Sequence, residues 1–378
     1  MVSQSKREYL ARIKDRYRHA GRKGKTRILD EFCAVCGHHR KHAIRLLNAD
    51  RRRCRKKPGR PRQYGREEIQ ILENIWVSAD YPCSARMAGM IRLWLPWYEK
   101  RYGDLDAHTR QKLEAIKPRT LDRLLLPARR KHGHRGLSGT GPMTLFSNRI
   151  PIKISHRGVD QPGFIQADTV AHGGDSTEGD FVWSLTFTDV FTGWTENGAI
   201  WNKGQYGVHQ MLEQIEQQLP FTIHGFHTDN GSEFLNYHLH RYYRNRKKPV
   251  EMTRGRPGAK NDNPHAEQKN YTHVRRLLGY RRIDDPSLVQ EINRLYEAAN
   301  MLQNFFCSTR KLTHKERRGA RYYKQFDPPA TPCERLLASG HLHACQEAAL
   351  ISQSMALDPY ALRSFIDAQK ARIFARLR

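Results

Sequence analysis

The stretch GFIQADTVAHGGDSTEGDFVWSLTFTDVFTGWTENGAIWN, residues 163–202, decides the fold class of this chain. It contains three apolar runs, rich in β-branched and aromatic side chains and separated by turn-forming Gly, Asp, Ser and Thr. Runs of roughly eight residues with these boundaries are typical of β-strands. The stretch therefore predicts three consecutive strands.

The residues that follow alternate between predicted helices and strands. We predict a helix at 204–219, a short strand at 222–229, a helix from Ser232 to about Asn245, a strand at 250–253 and a long helix from about Pro264 to Leu278. Three adjacent strands followed by this alternation predict an α/β domain. We place that domain at residues 159–285.

The charge of the chain is concentrated on either side of this domain. Its 378 residues carry 66 Lys and Arg against 38 Asp and Glu, a net charge of +28. Residues 1–150 contain 36 basic and 14 acidic residues, 161–300 contain 15 and 17, and 301–378 contain 13 and 6. This distribution predicts contact of the flanks with a polyanion such as double-stranded DNA, and a different task for the middle. A ribosomal-type basic protein would lack the neutral block.

Apolar runs and cysteines indicate the compartment. The sequence has no apolar run of roughly 18 residues, and MVSQSKREYL at the N-terminus lacks the apolar stretch of a signal peptide. The seven Cys residues are odd in number and have no framework spacing, which favours a reducing compartment. We expect a soluble cytoplasmic protein with no membrane partner.

Residues 1–50 have the pattern of a helix-turn-helix domain. Gly37 separates two helical stretches whose inward positions are Phe32, Cys36, Ala43 and Leu46. The outer face of the second helix carries the expected DNA contacts Arg40, Lys41 and Arg45. A zinc site is the alternative, because Cys33-x2-Cys36 precedes three His residues. No second ligand pair has zinc spacing, so buried thiols are favoured.

A basic connector follows at 51–64. Its segment RRRCRKKPGRPRQ holds eight Lys or Arg in thirteen positions, and Pro58 and Pro61 exclude a helix. Its PGRPR core resembles an AT-hook, in which Arg60 and Arg62 would enter a narrow minor groove of A·T-rich DNA. A solvated basic linker is the alternative.

A second helical DNA-binding domain is predicted at 65–131. In KPRTLDRLLLPARRK, a helix opening at Arg119 or Thr120 places three leucines on one face, Leu121, Leu124 and Leu125. The opposite face carries the expected DNA contacts Arg119 and Arg123, followed by Arg129 and Arg130. Residues 132–158 contain Gly, Ser and Pro and are predicted to be a linker.

Three carboxylates in the α/β domain occupy positions suited to catalysis. Asp168 lies within the first predicted strand, Asp229 at the end of the fourth strand in HTDNGSEF, and Glu267 in the first turn of the last helix in KNDNPHAEQKN. In-line attack on a phosphodiester uses two Mg²⁺ ions, and Mg²⁺ prefers a few carboxylate ligands. Taken singly, an Asp before Asn-Gly forms a turn and a Glu in a first turn complements the helix dipole. Their joint placement favours catalysis, whereas Glu233 is interpreted as a helix-start residue.

These motifs resemble those of a known enzyme family. IQADTV, HTDNGSEF and KNDNPHAEQKN look like the three blocks of the retroviral-integrase-type, ribonuclease H-like core of DDE transposases from bacterial insertion sequences. The resemblance covers roughly residues 160–285. It implies that Asp168, Asp229 and Glu267 form the DDE triad and bind two Mg²⁺ ions, which Mn²⁺ replaces.

The resemblance also implies a reaction, partners and further contacts. A transposase of this group binds the terminal inverted repeats of a mobile element, hydrolyses the element ends and joins their 3′-OH groups to target DNA. It works as a homodimer or larger synaptic assembly at the bacterial nucleoid. Asn230 would orient Asp229 or a phosphate, and three residues resemble contacts to the element end: Lys260, Asn261 and Lys269. A catalytically silent DNA-binding regulator and a stand-alone nuclease are the alternatives.

Residues 286–378 are predicted to be a basic and helical C-terminal region. Arg310 and Lys311 are expected to contact DNA. The last helix is expected to have an amphipathic face for a partner subunit. The predicted architecture is thus multidomain, with all-α DNA-binding units before an α/β ribonuclease H-like catalytic domain.

Overall fold

The computed structural model describes residues 3–49, 63–132, 158–229, 231, 233–256 and 263–377. The chain divides into two compact units, residues 1–63 and 64–378. Most of the predicted AT-hook segment and of the linker at 132–158 lies outside the described residues. The same holds for five predicted DNA contacts: Arg60, Arg62, Asn230, Lys260 and Asn261.

The first unit contains three helices, α1 (Ser3–His19), α2 (Arg22–Cys36) and α3 (Arg40–Asn48). Gly37 ends α2 in the left-handed conformation, φ 68°, which glycine adopts without the steric cost of a β-carbon. Phe32, Cys36 and Ala43 are buried as predicted. Leu46 is only half-buried, and Leu47 fills the core instead.

The second unit begins with the helices α4 (Arg66–Ser78), α5 (Ser84–Tyr102), α6 (Ala107–Glu114), α7 (Pro118–Leu124) and α8 (Leu126–Lys131). The predicted single helix in KPRTLDRLLLPARRK is interrupted at Leu125, one residue before a Pro-containing turn begins α8. The indole of Trp94 donates to the carbonyl oxygen of Phe306 at 3.0 Å. Residues 65–131, predicted as a domain of their own, are therefore packed in one compact unit with the sheet.

A mixed five-stranded sheet forms the centre of this unit. Its strands are β1 (Phe164–Ala171), β2 (Val182–Asp189), β3 (Thr195–Trp201), β4 (Gly225–Thr228) and β5 (Glu251–Arg254). Their order is β3-β2-β1-β4-β5, antiparallel among the first three and parallel from β1 through β5. The central strands are nearly continuously buried because helices cover both faces. This is the element order that the sequence predicts for the α/β domain.

The helices around the sheet are α9 (Gln205–Gln218), α10 (Tyr237–Arg244) and a continuous helix from Pro264 to Leu278. The last consists of α11 (Pro264–Lys269), a π-helical segment (Asn270–Arg275) and α12 (Arg276–Leu278). Helix α10 begins five residues later than the predicted start at Ser232, because the side chain of Asn236 caps it by accepting from Leu239 N at 2.9 Å.

The C-terminal part contains α13 (Leu288–Phe306), β6 (Leu312–Arg318), β7 (Arg321–Phe326), α14 (Pro332–Leu337), α15 (Ala344–Ala356) and α16 (Pro359–Arg376). Helix α16 packs along α13 and buries Tyr360, Ile366 and Ile373. These three apolar residues are thus used within the chain, whereas Phe365 of the same helix is 43% exposed. The expected contact of this helix with a partner subunit stays a prediction. Among the described residues, no helix combines the length and the apolar character needed to cross a membrane.

Candidate active site

Two aspartates stand side by side where neighbouring parallel strands meet. Ala167 of β1 is paired with Thr228 of β4, and the next residues along the two strands are Asp168 and Asp229. Since side chains alternate along a strand in step, both carboxylates project on the same side of the sheet. Asp168 lies within β1 and Asp229 directly after β4, the positions along the chain that the sequence predicts for them.

Asp168 is held by two hydrogen bonds. Its Oδ1 accepts from the backbone N–H of Thr169 at 2.8 Å, and its Oδ2 accepts from Nδ2 of Asn270 at 2.6 Å. The residue is half-buried. Asn270 lies three residues after Glu267, on a neighbouring face of the same helix. The helix that carries the third acid therefore also orients the first.

The start of α11 is attached directly to β1. Asn263 donates through Nδ2 to the carbonyl oxygen of Ala167 at 2.8 Å, and the backbone N–H of His265 donates to Oε1 of Gln166 at 2.9 Å. Gln166 and Asn263 are almost completely buried. These bonds keep the first turn of α11, which carries the exposed side chain of Glu267, against β1.

Electrostatics show that the carboxylates act on each other. The pKa of Asp168 is raised to about 7, first by burial and next by the charge of Asp229, with Glu267 acting in the same direction. The pKa of Asp229 is also raised, by partial burial and then by the charge of Glu233, although Gly231 N donates to its Oδ1 at 2.9 Å. Within the described ranges, no three His, Cys, Asp or Glu side chains are grouped as they would be around one metal ion.

Glu233 belongs to the site rather than to a helix start. It is 2% exposed and precedes α10 by four residues. Its Oε1 accepts from Oγ1 of Thr169 and from Nζ of Lys203, both at 2.9 Å. Its Oε2 is buried and has no hydrogen-bond partner among the residues that the structure describes. The interpretation of Glu233 as a helix-start residue was wrong, because α10 begins four residues later and the Glu233 carboxylate is buried against Thr169 and Lys203.

Comparison with known proteins places the chain in a family. It is 37% identical over 337 residues to the uncharacterized protein y4rM of Sinorhizobium fredii (strain NBRC 101917 / NGR234), and the match covers 87% of this chain and 94% of that protein. The chain belongs to the y4rM family. No family model matches it. A crystal structure of the catalytic core domain of BIV integrase matches 47% of this chain and 95% of its own chain at 17% identity, with a TM-score of 0.32.

The predicted DNA contacts of this y4rM family member lie in different surroundings. Five are exposed on helices: Arg40, Lys41, Arg45, Arg119 and Arg123. Arg40 forms an ion pair with Asp30. Arg310 is exposed as well, whereas the ammonium group of Lys311 donates to the carbonyl oxygen of Phe191. Lys311 is therefore directed into its own unit.

Lys269 follows Glu267 by two residues and faces a different part of the protein. The pKa of its ammonium group is lowered to about 7, first by burial and then by the charges of Arg86 and Arg335. The charges that act on it thus come from α5 and α14, the helices that carry Arg86 and Arg335. Helix α11 thus presents Glu267 towards the strand ends and Lys269 towards a cluster of cations.

Proposed function

We propose that this protein is a DDE-type transposase that cleaves and joins DNA at the ends of a mobile element. The observation that carries the proposal is the register of β1 and β4, which pairs Ala167 with Thr228 so that Asp168 and Asp229 follow on neighbouring strands, with Glu267 on a helix attached to β1. The motifs in which these acids occur resemble the three DDE blocks. The substrates are terminal inverted repeats, then target DNA.

The acids fit a site for divalent cations. Burial, and next the charge of Asp229, raise the pKa of Asp168, and a cation between the carboxylates would offset both effects. Hard carboxylate oxygens suit Mg²⁺, with Mn²⁺ as a substitute. Asp168, Asp229 and Glu267 would hold two such ions, which when bound activate the attacking oxygen and stabilise the leaving oxygen. Glu267 is exposed on α11, and its charge acts on Asp168.

The other residues of the site position these acids. Thr169 N and Asn270 hold the two oxygens of Asp168, and Gly231 N holds Asp229. Glu233 carries a further negative charge beneath Asp229 and is itself held by Lys203. Fixed hydrogen bonds of this kind keep ligand orientations constant between catalytic steps.

The remaining parts of the chain supply the grip on DNA. The first unit offers Arg40, Lys41 and Arg45 on α3, which follows a helix and a tight turn as in a helix-turn-helix. In the second unit, Arg119 and Arg123 lie on the exposed side of α7. Acting on two element ends in one event requires a homodimer or larger assembly, in the cytoplasm of a bacterium and close to its nucleoid.

The test is cleavage and strand transfer by the purified full-length chain on DNA that carries the genomic flanks of its reading frame. Asp168→Asn, Asp229→Asn and Glu267→Gln should each retain DNA binding and lose both reactions in Mg²⁺ and in Mn²⁺. Glu178→Gln, an exposed acid in the loop between β1 and β2, is the matched control.

Two outcomes contradict the proposal. An active Glu267→Gln enzyme removes Glu267 from the triad. A wild-type chain that binds the flanking DNA but neither cuts nor joins it in either metal is a DNA-binding regulator instead.

A further inference from the structure

Strands β6 and β7 form a two-stranded ribbon outside the central sheet. They are antiparallel, and Lys315 is paired with Lys324, Glu316 with Tyr323 and Arg317 with Tyr322. The base of the ribbon is firmly held. Thr309 N donates to the carbonyl oxygen of Ala330 at 2.8 Å, and Lys311 N donates to Oδ1 of Asp327 at 2.5 Å.

Neither face of the ribbon is covered by the rest of the protein in the described part of the chain. All side chains of β6 are exposed. In β7, the exposed fractions are 56% for Tyr322, 49% for Tyr323 and 39% for Phe326. A two-stranded ribbon with no third strand or covering helix is at best marginally stable in water. Large exposed aromatic side chains on such a ribbon indicate a binding surface for another molecule.

The two faces differ in charge. Opposed residues of an antiparallel pair share a face, so one face carries Lys315, Arg317, Tyr322 and Lys324 and no carboxylate. On that face, Nζ of Lys315 lies 4.6 Å from the ring centre of Tyr322. The other face holds the one acid of the ribbon, Glu316, in an ion pair with Arg318 at 2.8 Å. We call the first of these the cationic face.

We infer that the cationic face of this ribbon binds duplex DNA, with the ribbon lying in the major groove. The inference rests on the proposed function and names one DNA-binding surface for it. The chain from 310 to 326 contains seven Lys or Arg and one Glu, which complements a polyanion. The major groove, about 12 Å wide, admits a two-stranded ribbon. Lys315 and Arg317 are two strand residues apart, about 6.8 Å, and project from the same face, so both can contact the same DNA segment.

A second copy of this chain is the weaker candidate for the occupant. Two identical ribbons would bring their cationic faces or their Lys- and Arg-bearing edges together, and like charges placed opposite one another are destabilising. The same cations favour DNA, because each phosphate contact releases counterions.

The experiment measures the binding of a fluorescent random-sequence duplex by the full-length protein as a function of salt. The triple variant Lys315→Gln, Arg317→Gln, Lys324→Gln should lower the slope of log K against log[salt] by about 2 to 3, with an affinity loss of about 100-fold near 0.1 M salt. Tyr322→Ser should weaken binding with little change of slope. All four side chains are exposed, and thermal unfolding verifies that each variant folds.

The matched control also removes three exposed cations, from helices of the same unit: Lys100→Gln, Arg294→Gln and Arg372→Gln. It should leave the slope nearly unchanged. An equal effect of the two triple variants would overturn the inference, because net charge alone would then explain it. An unchanged salt slope in the ribbon variant would also overturn the inference. If sedimentation then shows that this variant has lost self-association, the ribbon binds a second copy of the chain instead of DNA.

The cleavage assay separates this inference from the proposed function. If the wild-type enzyme is active but the ribbon variant has an unchanged salt slope, only the inference that the ribbon binds DNA is contradicted. If the wild-type chain does not cleave DNA but its DNA binding depends on the ribbon, only the proposed reaction is contradicted.

Discussion

Replacing Asp168 with Asn should stabilise the metal-free protein even though it removes a proposed catalytic group. The pKa of Asp168 is raised from 3.8 to about 7. Because the folded state then holds its proton more tightly than the unfolded chain, folding stability falls as the pH rises through this window. At roughly 1.36 kcal/mol per pKa unit, the ionised group costs about 4 kcal/mol at about pH 8.

The substitution also has a cost. Both oxygens of Asp168 accept a hydrogen bond, from Thr169 N and from Asn270 Nδ2, and an Asn side chain has only one oxygen. Losing one acceptor costs about 1 kcal/mol, and solvent screening of the half-buried carboxylate reduces the gain further. We therefore expect a net stabilisation of about 2 kcal/mol, or about 4 °C in Tm for a domain of this size.

The assay is urea and thermal unfolding with EDTA present, at about pH 8 and at about pH 4. At the lower pH the gain should nearly vanish, because the carboxyl is protonated in the folded protein and close to half protonated in the unfolded chain. Asp180→Asn, in an exposed loop, is the control. Adding Mg²⁺ at about five times its Kd should stabilise the wild type by roughly 1 kcal/mol and leave Asp168→Asn unchanged. A variant that is destabilised at the higher pH, or whose gain is independent of pH, refutes the reasoning that an ionised Asp168 destabilises the metal-free fold.

Three further predictions concern the supporting structure. The pKa of Glu196 is raised to about 7 by burial, so the ionised group destabilises the fold as the pH rises. The folding stability of Glu196→Gln, measured by urea unfolding, should therefore rise relative to the wild type by up to about 3 kcal/mol between about pH 4.5 and 7. A stability difference that does not change with pH would contradict this. Lys203→Met should cost about 3 kcal/mol because it leaves the buried carboxylate of Glu233 unpaired, and adding Glu233→Gln should restore most of it in a double-mutant cycle. Gly163→Ala should lower the free energy of unfolding by about 3 kcal/mol or more, because at φ +111° its β-carbon overlaps the carbonyl oxygen of Thr222, just before β4. The control Gly158→Ala, at φ +100° with no described atom near its β-carbon, should lower it by about 1 kcal/mol. Equal losses in the two variants would contradict the overlap.

The elements of the α/β domain were predictable because their patterns are local. Apolar runs bounded by turn residues predicted three strands, and β1 to β3 lie close to the predicted positions. The helix from Pro264 to Leu278 has the predicted bounds. Each of these elements buries one face against its neighbours, so hydrophobic spacing reports it directly. The inward positions around Gly37 follow from the same rule, with one error of register at Leu46.

The C-terminal ribbon was not predictable in this way. Residues 312–326 have no apolar alternation, because neither face is buried in the chain. Alternation of hydrophobic and polar residues arises only when one face of a strand packs on a core. The sequence therefore predicted a basic and helical region with DNA contacts at Arg310 and Lys311, and the helical part of that prediction was wrong for residues 312–326, which form two strands.

Part of the candidate site depended on contacts between distant segments. The surroundings of Glu233 are contributed by Thr169 and Lys203, neither close to it in sequence. Asn270 offered a signal, since a polar residue three positions after Glu267 lies on a neighbouring helix face. Nothing local indicated that it binds Asp168.

By itself, the sequence determined the kinds of elements, the distribution of charge and the three acids, because hydrophobic period, composition and motif spacing are properties of neighbouring residues. The tertiary structure alone decided which groups meet. Strand order placed Asp168 beside Asp229, and buried bonds from Asn263 and Gln166 set the helix of Glu267 against β1. The pKa of Asp168 likewise depends on burial and on charges from other elements. Such effects fall off with distance in space rather than along the chain, so they exist only once the chain has folded.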